Sequence, residues 1–92
     1  MMQDKEAIYK LARSYILRCE EEYDVKGAEL FRQLAEEGYA PAQLYLGVLY
    51  EKGCGVPQDY EQAKVWYTRA KKNGHGNAQM YLDHLKLIIK NK

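Results

Sequence analysis

The sequence predicts an all-α fold made of two helical hairpins followed by a fifth, single helix. Three observations carry that reading. The first is an internal repeat, the signature of a stack of like units. Shifted back by 35 residues, Ala42, Leu46, Gly47, Tyr50, Asp59, Ala63, Trp66 and Ala70 fall on Ala7, Leu11, Ala12, Tyr15, Asp24, Ala28, Phe31 and Ala35. Shifted forward by 36, Gly38, Ala42, Gln43, Tyr45 and Leu46 fall on Gly74, Ala78, Gln79, Tyr81 and Leu82. The second is helical spacing: Ala42, Leu46, Gly47 and Tyr50 share one face, and Ala63, Trp66, Tyr67 and Ala70 share another. The third is the loop between those two faces. Gly53 and Gly55 permit backbone angles closed to other residues, and Pro57 keeps the preceding helix from running on.

The elements follow in order. Helix one is expected from about Asp4 to about Glu22. RCEEEY stands where the central unit has GCGVPQ, and with no glycine or proline nothing forces an early stop. That reading puts Glu20, Glu21 and Glu22 at a helix C-terminus, where negative charge is mildly unfavourable. Folding does not explain the placement, which leaves open a role in contacting a basic partner. Asp24 is the expected cap of helix two, which runs to Glu37 and ends at Gly38. Pro41 suits the first turn of helix three, where its missing N–H costs nothing, and that helix runs to about Lys52. Gly47 is expected where helices three and four come closest. Asp59 caps helix four, and Gln62 completes a capping box. That helix runs from about Tyr60 to Asn73, with Lys71 and Lys72 at its positively favoured end and Gly74 to stop it. Asn77 is the expected cap of helix five, which reaches about Lys90.

The central stretch, AQLYLGVLYEKGCGVPQDYEQAKVWYTRAKKNG, resembles a Sel-one-like repeat, a relative of the tetratricopeptide repeat. The family has alanine, leucine–glycine and tyrosine on its first helix, then a glycine-x-glycine-valine loop and an aspartate. Alanine, tryptophan–tyrosine, alanine and a closing glycine follow. All of these stand here in order, and the resemblance extends less closely over nearly the whole chain. It implies a right-handed α-solenoid of two helix-turn-helix repeats, at about 4–38 and 40–74, with a capping helix at about 77–90, all within one domain. In helix five, Asp83 and Lys86 replace the family's glycine and tyrosine. Polar residues there suit a terminal layer facing water, so the chain reads as complete.

Composition narrows the function. Ninety-two residues allow one small domain with a modest core. A formal net charge of +1 gives no argument for nucleic acid or an anionic membrane. Nine tyrosines against one phenylalanine suit thin helical layers, with rings buried and hydroxyls at the edge. Tyr9, Tyr15, Tyr45, Tyr50, Tyr67 and Tyr81 are better explained by packing than by stacking on bases. The start, MMQDKEAIYK, has no apolar signal region, and no run reaches membrane-spanning length. The expected location is cytoplasmic.

Chemical constellations are weak. Cys54, His75 and His84 lack the spacing of a metal site. Neither cysteine has surroundings that would activate a nucleophile. Gly53-Cys54-Gly55 follows a helix rather than a strand and lacks a P-loop's lysine, so it reads as a turn. Cys19 and Cys54 occupy the same position in successive repeats, 35 residues apart. Stacked helices lie about 8–10 Å apart, beyond disulfide reach, so two free thiols are expected. No enzyme activity and no cofactor are expected.

The resemblance implies a module that binds a protein or peptide on a concave surface lined by the first helix of each hairpin. Groove residues in the related repeats lie two before and two after the leucine that precedes the glycine. Carried over, that marks Leu44 and Val48, with Tyr9 and Arg13 on helix one and Met80 and His84 on helix five. Glu51 and Lys52 edge the groove. All of these except the charged residues at its margins are expected to be at least partly exposed. An alternative is a small inhibitor or immunity-type protein that neutralises one toxin or enzyme. Leu87 and Ile88 offer a competing use of helix five, as a homodimer contact.

Overall fold

The computed structural model describes residues 4–16 and 21–91. These form five helices and, among the described residues, no strand: α1 (Lys5–Ile16), α2 (Glu21–Glu36), α3 (Ala40–Lys52), α4 (Tyr60–Lys72) and α5 (Ala78–Lys90). Each helix packs on the next in chain order, in a slab of 45 × 30 × 16 Å. The expected all-α repeat architecture is what the chain adopts.

Local chemistry sets the boundaries. Asp4 accepts hydrogen bonds from the Glu6 and Ala7 amides at 3.0 and 3.3 Å, satisfying two of the donors that open α1. Gly53 ends α3 in the left-handed region, φ +74°, and its N–H reaches Leu49 O at 2.7 Å. Asp59 opens α4, accepting from Glu61 N and Gln62 N at 3.0 and 3.2 Å. The reciprocal half of the expected capping box is replaced: the Asp59 amide donates to Tyr50 O at 2.9 Å, tying the start of α4 to the end of α3. Asn77 stands at the start of α5 without a side-chain capping bond, and its own N–H goes to His75 Nδ1 at 3.2 Å.

The first turn region differs from the sequence reading. α2 begins at Glu21, so Asp24 lies inside the helix and is not its cap, and helix one does not extend through Glu22. In the backbone, Glu21 and Glu22 belong to the start of α2 and not to the end of helix one. Glu20 and Cys19 lie outside the described residues.

The repeat is visible in the backbone itself. Tyr39 N bonds Leu34 O at 3.1 Å after α2, and His75 N bonds Ala70 O at 2.9 Å after α4. Both follow a glycine at φ +90°, Gly38 and Gly74. Those pairs stand 36 residues apart, so the same turn closes each hairpin.

The core runs through the stack from Ala12 and Ile16 through Phe31, Leu34, Leu46, Leu49, Trp66 and Tyr67 to Leu82 and Leu85. α3 is the central member, covered by α2 on one side and α4 on the other. A Cβ placed on Gly47 would lie 2.5 Å from the Tyr67 ring and 3.2 Å from Ala63 O, so α3 and α4 meet at a contact only glycine allows. In the first hairpin the equivalent position is Ala12, and the close approach is supplied from the other side. Gly27 of α2 would place a Cβ 2.7 Å from Ile16 Cγ1 and 3.0 Å from Ala12 O. Register equivalence is not burial equivalence, however. Leu46 is fully buried, whereas Leu11, its counterpart, is 49% exposed, because no described helix is stacked before α1.

The free-thiol expectation is overturned at Cys54, which is disulfide-bonded. Cys19, the chain's other cysteine, lies outside the described residues. Cys54 follows the cap of α3 and sits in the loop. Loop positions are not held at interhelix distance. Disulfides persist in oxidising surroundings, so part of the ground for a cytoplasmic location is removed. No helix among the described residues is long and apolar enough to cross a membrane.

Candidate interaction surface

α1, α3 and α5 are the first helices of successive layers, and each carries a tyrosine at the same register; those of α1 and α3 are in ring contact. Tyr9, Tyr45 and Tyr81 stand 36 residues apart and are all half-buried. Tyr9 and Tyr45 meet edge to face at 6.2 Å between centroids. Tyr9 also makes edge contacts with Phe31 at 5.6 Å and Tyr39 at 5.9 Å, and Phe31 stacks on Tyr45 at 4.4 Å. Such contacts hold the rings in fixed orientations, each adding about 0.5–1.5 kcal/mol beyond burial. Burial raises the Tyr9 phenol above its ordinary range, the Arg13 guanidinium opposes this, and Tyr45, Tyr39 and Tyr81 add to it. Arg13 lies over the Tyr9 ring, 5.9 Å from its centroid.

At the other end of this face, Tyr81 tilts against Tyr67 at 5.5 Å. Tyr67 is fully buried and donates to Glu51 Oε1 at 2.9 Å. Burial, then the bond and charge of Glu51, push this phenol far above its ordinary range. Glu51 therefore holds a core tyrosine in place as well as edging the surface.

The groove positions carried over from the resemblance divide. Arg13, Lys52, Met80 and His84 are exposed, with Met80 63% accessible. Tyr9, Val48 and Glu51 are half-buried. Leu44 departs from the exposure expected of it: at 9% it belongs to the core cluster. α3 is enclosed by neighbours on two sides, so a position two before its leucine is drawn inward. Tyr45 and Tyr81 pack against the core cluster, as the sequence predicts, and both are half-buried. The signal that marks them was present, a tyrosine at the same interval in three helices. On α5, Leu87 is 59% exposed and Ile88 half-buried. Among the described residues, no group of three His, Cys, Asp or Glu is placed to hold a metal ion.

The hairpin stack and its recurring turn define a helical-repeat protein. Residues 40–75 match the sequence model of the Sel1 repeat, a helical repeat related to the tetratricopeptide repeat, and form such a repeat in the structure. The chain is also similar to chitin synthase regulatory factor 3 of Schizosaccharomyces pombe, 37% identical over 82 residues. It is 32% identical over 84 residues to the chitin synthase regulator SKT5 of Malassezia restricta. Those alignments cover 83% and 88% of this chain but only 9% and 6% of the relatives, so the chain spans less than a tenth of either. No solved structure matches.

Proposed function

We propose that this chain is a protein-recognition module, an adaptor that binds a protein or peptide on the face made by α1, α3 and α5. Two repeats, at about 4–38 and 40–74, with the helix at 77–90, would act as one domain presenting that face. The observation that supports it most is the tyrosine row of Tyr9, Tyr45 and Tyr81, half-open and fixed by ring contacts, beside the exposed Arg13, Met80 and His84. Rigid aromatic groups beside arginine and methionine are the composition of a protein-binding surface, and preorientation lowers the entropy cost of binding. The relatives' names, both of regulators, support a regulatory rather than a catalytic use of such a module.

The test is affinity capture from the native cell with the full chain and with a Val48→Asp, Met80→Asp variant. A partner held by the parent chain and lost by the variant, at unchanged melting temperature, is the expected result. A partner that both retain would place binding elsewhere. Leu44 is unsuitable for this test, because a charge there would challenge the core.

A further inference from the structure

Cys54 is fixed at both its backbone and its sulfur. Its N–H donates to Leu49 O at 3.0 Å, closing the end of α3, and its sulfur is held in a disulfide. The side chain is buried and belongs to the core cluster. The structure is a single chain, and its sequence holds one other cysteine, Cys19.

The residues around Cys54 lie against the start of the first hairpin's second helix. Gly55 and Val56 line one cavity with Val25, Ala28, Glu29 and Arg32 of α2, so the loop runs along the first half of that helix. Glu21, where α2 begins, follows Cys19 by two positions, and two residues span about 7 Å at most. The open cavity also shows that packing at this boundary is incomplete beside the loop. The first hairpin meets the rest of the stack chiefly through α2 on α3, and Leu11 on its far side is exposed. A covalent tie at the loop would hold it where side-chain packing leaves a gap.

We infer that Cys54 is bonded to Cys19, and that this bond is a redox-dependent clamp holding the first hairpin on the second. Oxidising surroundings keep the clamp closed. A dithiol opens it by thiol–disulfide exchange. Two electrons and two protons pass to the bond, leaving two cysteine thiols on the chain and a cyclic disulfide on the reductant. A cross-link between distant residues also restricts the unfolded chain, and small domains depend on such staples. Opening the clamp frees the first hairpin before the second, because α3 keeps α4 as its neighbour. The ring contact of Tyr9 with Tyr45 crosses the same boundary and would loosen with it. None of this depends on what binds the α1–α3–α5 face.

The connectivity is read by digesting the full chain with trypsin without reductant. A linked pair of peptides, residues 19–26 and 53–64, is expected from a protein whose intact mass is that of one chain. The clamp is read by hydrogen exchange on the same protein with and without dithiothreitol. Amides of α1 and α2 should exchange about tenfold faster or more once the bond is reduced, with a smaller change in α3 and α4. The Cys19→Ser, Cys54→Ser variant should show the same pattern without reductant, and dithiothreitol should not alter it further. This variant gives the answer even where the buried bond resists the reagent. Three results would overturn the inference: free thiols or a cross-linked dimer in place of the internal pair; exchange in the variant that matches the oxidised parent; or exchange that quickens equally in all five helices.

Discussion

A methyl group at Gly47 would sit inside the van der Waals shell of the Tyr67 ring. That ring cannot swing away, because it is fully buried and its hydroxyl is held by Glu51. Gly47→Leu is therefore expected to cost about 1–3 kcal/mol or more, read as a lowered urea midpoint. An unchanged midpoint would mean that α3 and α4 can separate at this point without penalty. Tyr67 and Tyr9 also make stability depend on alkaline pH. Their phenols are raised in the folded chain, so folding holds protons that the unfolded chain releases near pH 10. The sign follows from linkage: this contribution is complete below the unfolded value and is lost as pH rises above it. The parent chain should lose more stability between about pH 8 and pH 11 than a Tyr67→Phe variant, which lacks one such phenol. Equal losses in the two proteins would show that the buried phenol titrates as freely as an unfolded one.

Among the elements, the loop from α3 to α4 was legible because its determinants are local. Gly53 takes φ +74°, where side-chain-bearing residues are strained, and its Cβ position lies 3.2 Å from Gln58 Cβ. Gly53→Ala should cost about 1–2 kcal/mol in thermal or urea unfolding. Gly76→Ala, where nothing lies within 4 Å and φ is ordinary, is the matched control and should be near neutral. The start of α2 was not legible for the opposite reason. RCEEEY contains no residue with a unique backbone preference, so Asp24 reads as a cap although the helix is already under way there. Leu44, buried, and Cys54, disulfide-bonded, depart from the sequence expectation on another ground. Repeat register fixes a residue's place along its helix, but burial depends on which neighbours enclose that helix, and loop reach depends on neither. Gly27 could have been found, because a glycine within a helix is costly unless a close approach requires it.

Across the whole molecule, successive layers are joined by polar as well as apolar contacts. Gln43 of α3 is buried, and its side-chain amide donates to Ala35 O at the end of α2, 2.9 Å away. Its carbonyl oxygen accepts from Asn73 Nδ2 at the end of α4, at 2.8 Å. One side chain thus links the C-terminal ends of two helices that otherwise meet little. Gln43→Leu keeps the volume roughly and removes both bonds; Ala35 O keeps only its bond from the Gly38 amide, at 3.0 Å, and Asn73 Nδ2 loses its acceptor. The expected loss is about 1–3 kcal/mol. Hydrogen exchange should quicken at Glu37–Tyr39 and at Asn73–His75, the two turns it secures, more than in the middle of α3. Uniform exchange across the chain would show that the bonds hold nothing in particular.

Gln43 also has a mechanical meaning. In a stack of layers, the distance between corresponding helix ends sets how sharply the stack bends. A strut of fixed length between α2 and α4 makes that bend a stiff property of the fold rather than an average over a springy one. Tyr9, Tyr45 and Tyr81 stand on α1, α3 and α5 of that same stack. A residue that need never touch a bound partner would then govern how far apart the rings are held, and with it the width of whatever they can grip.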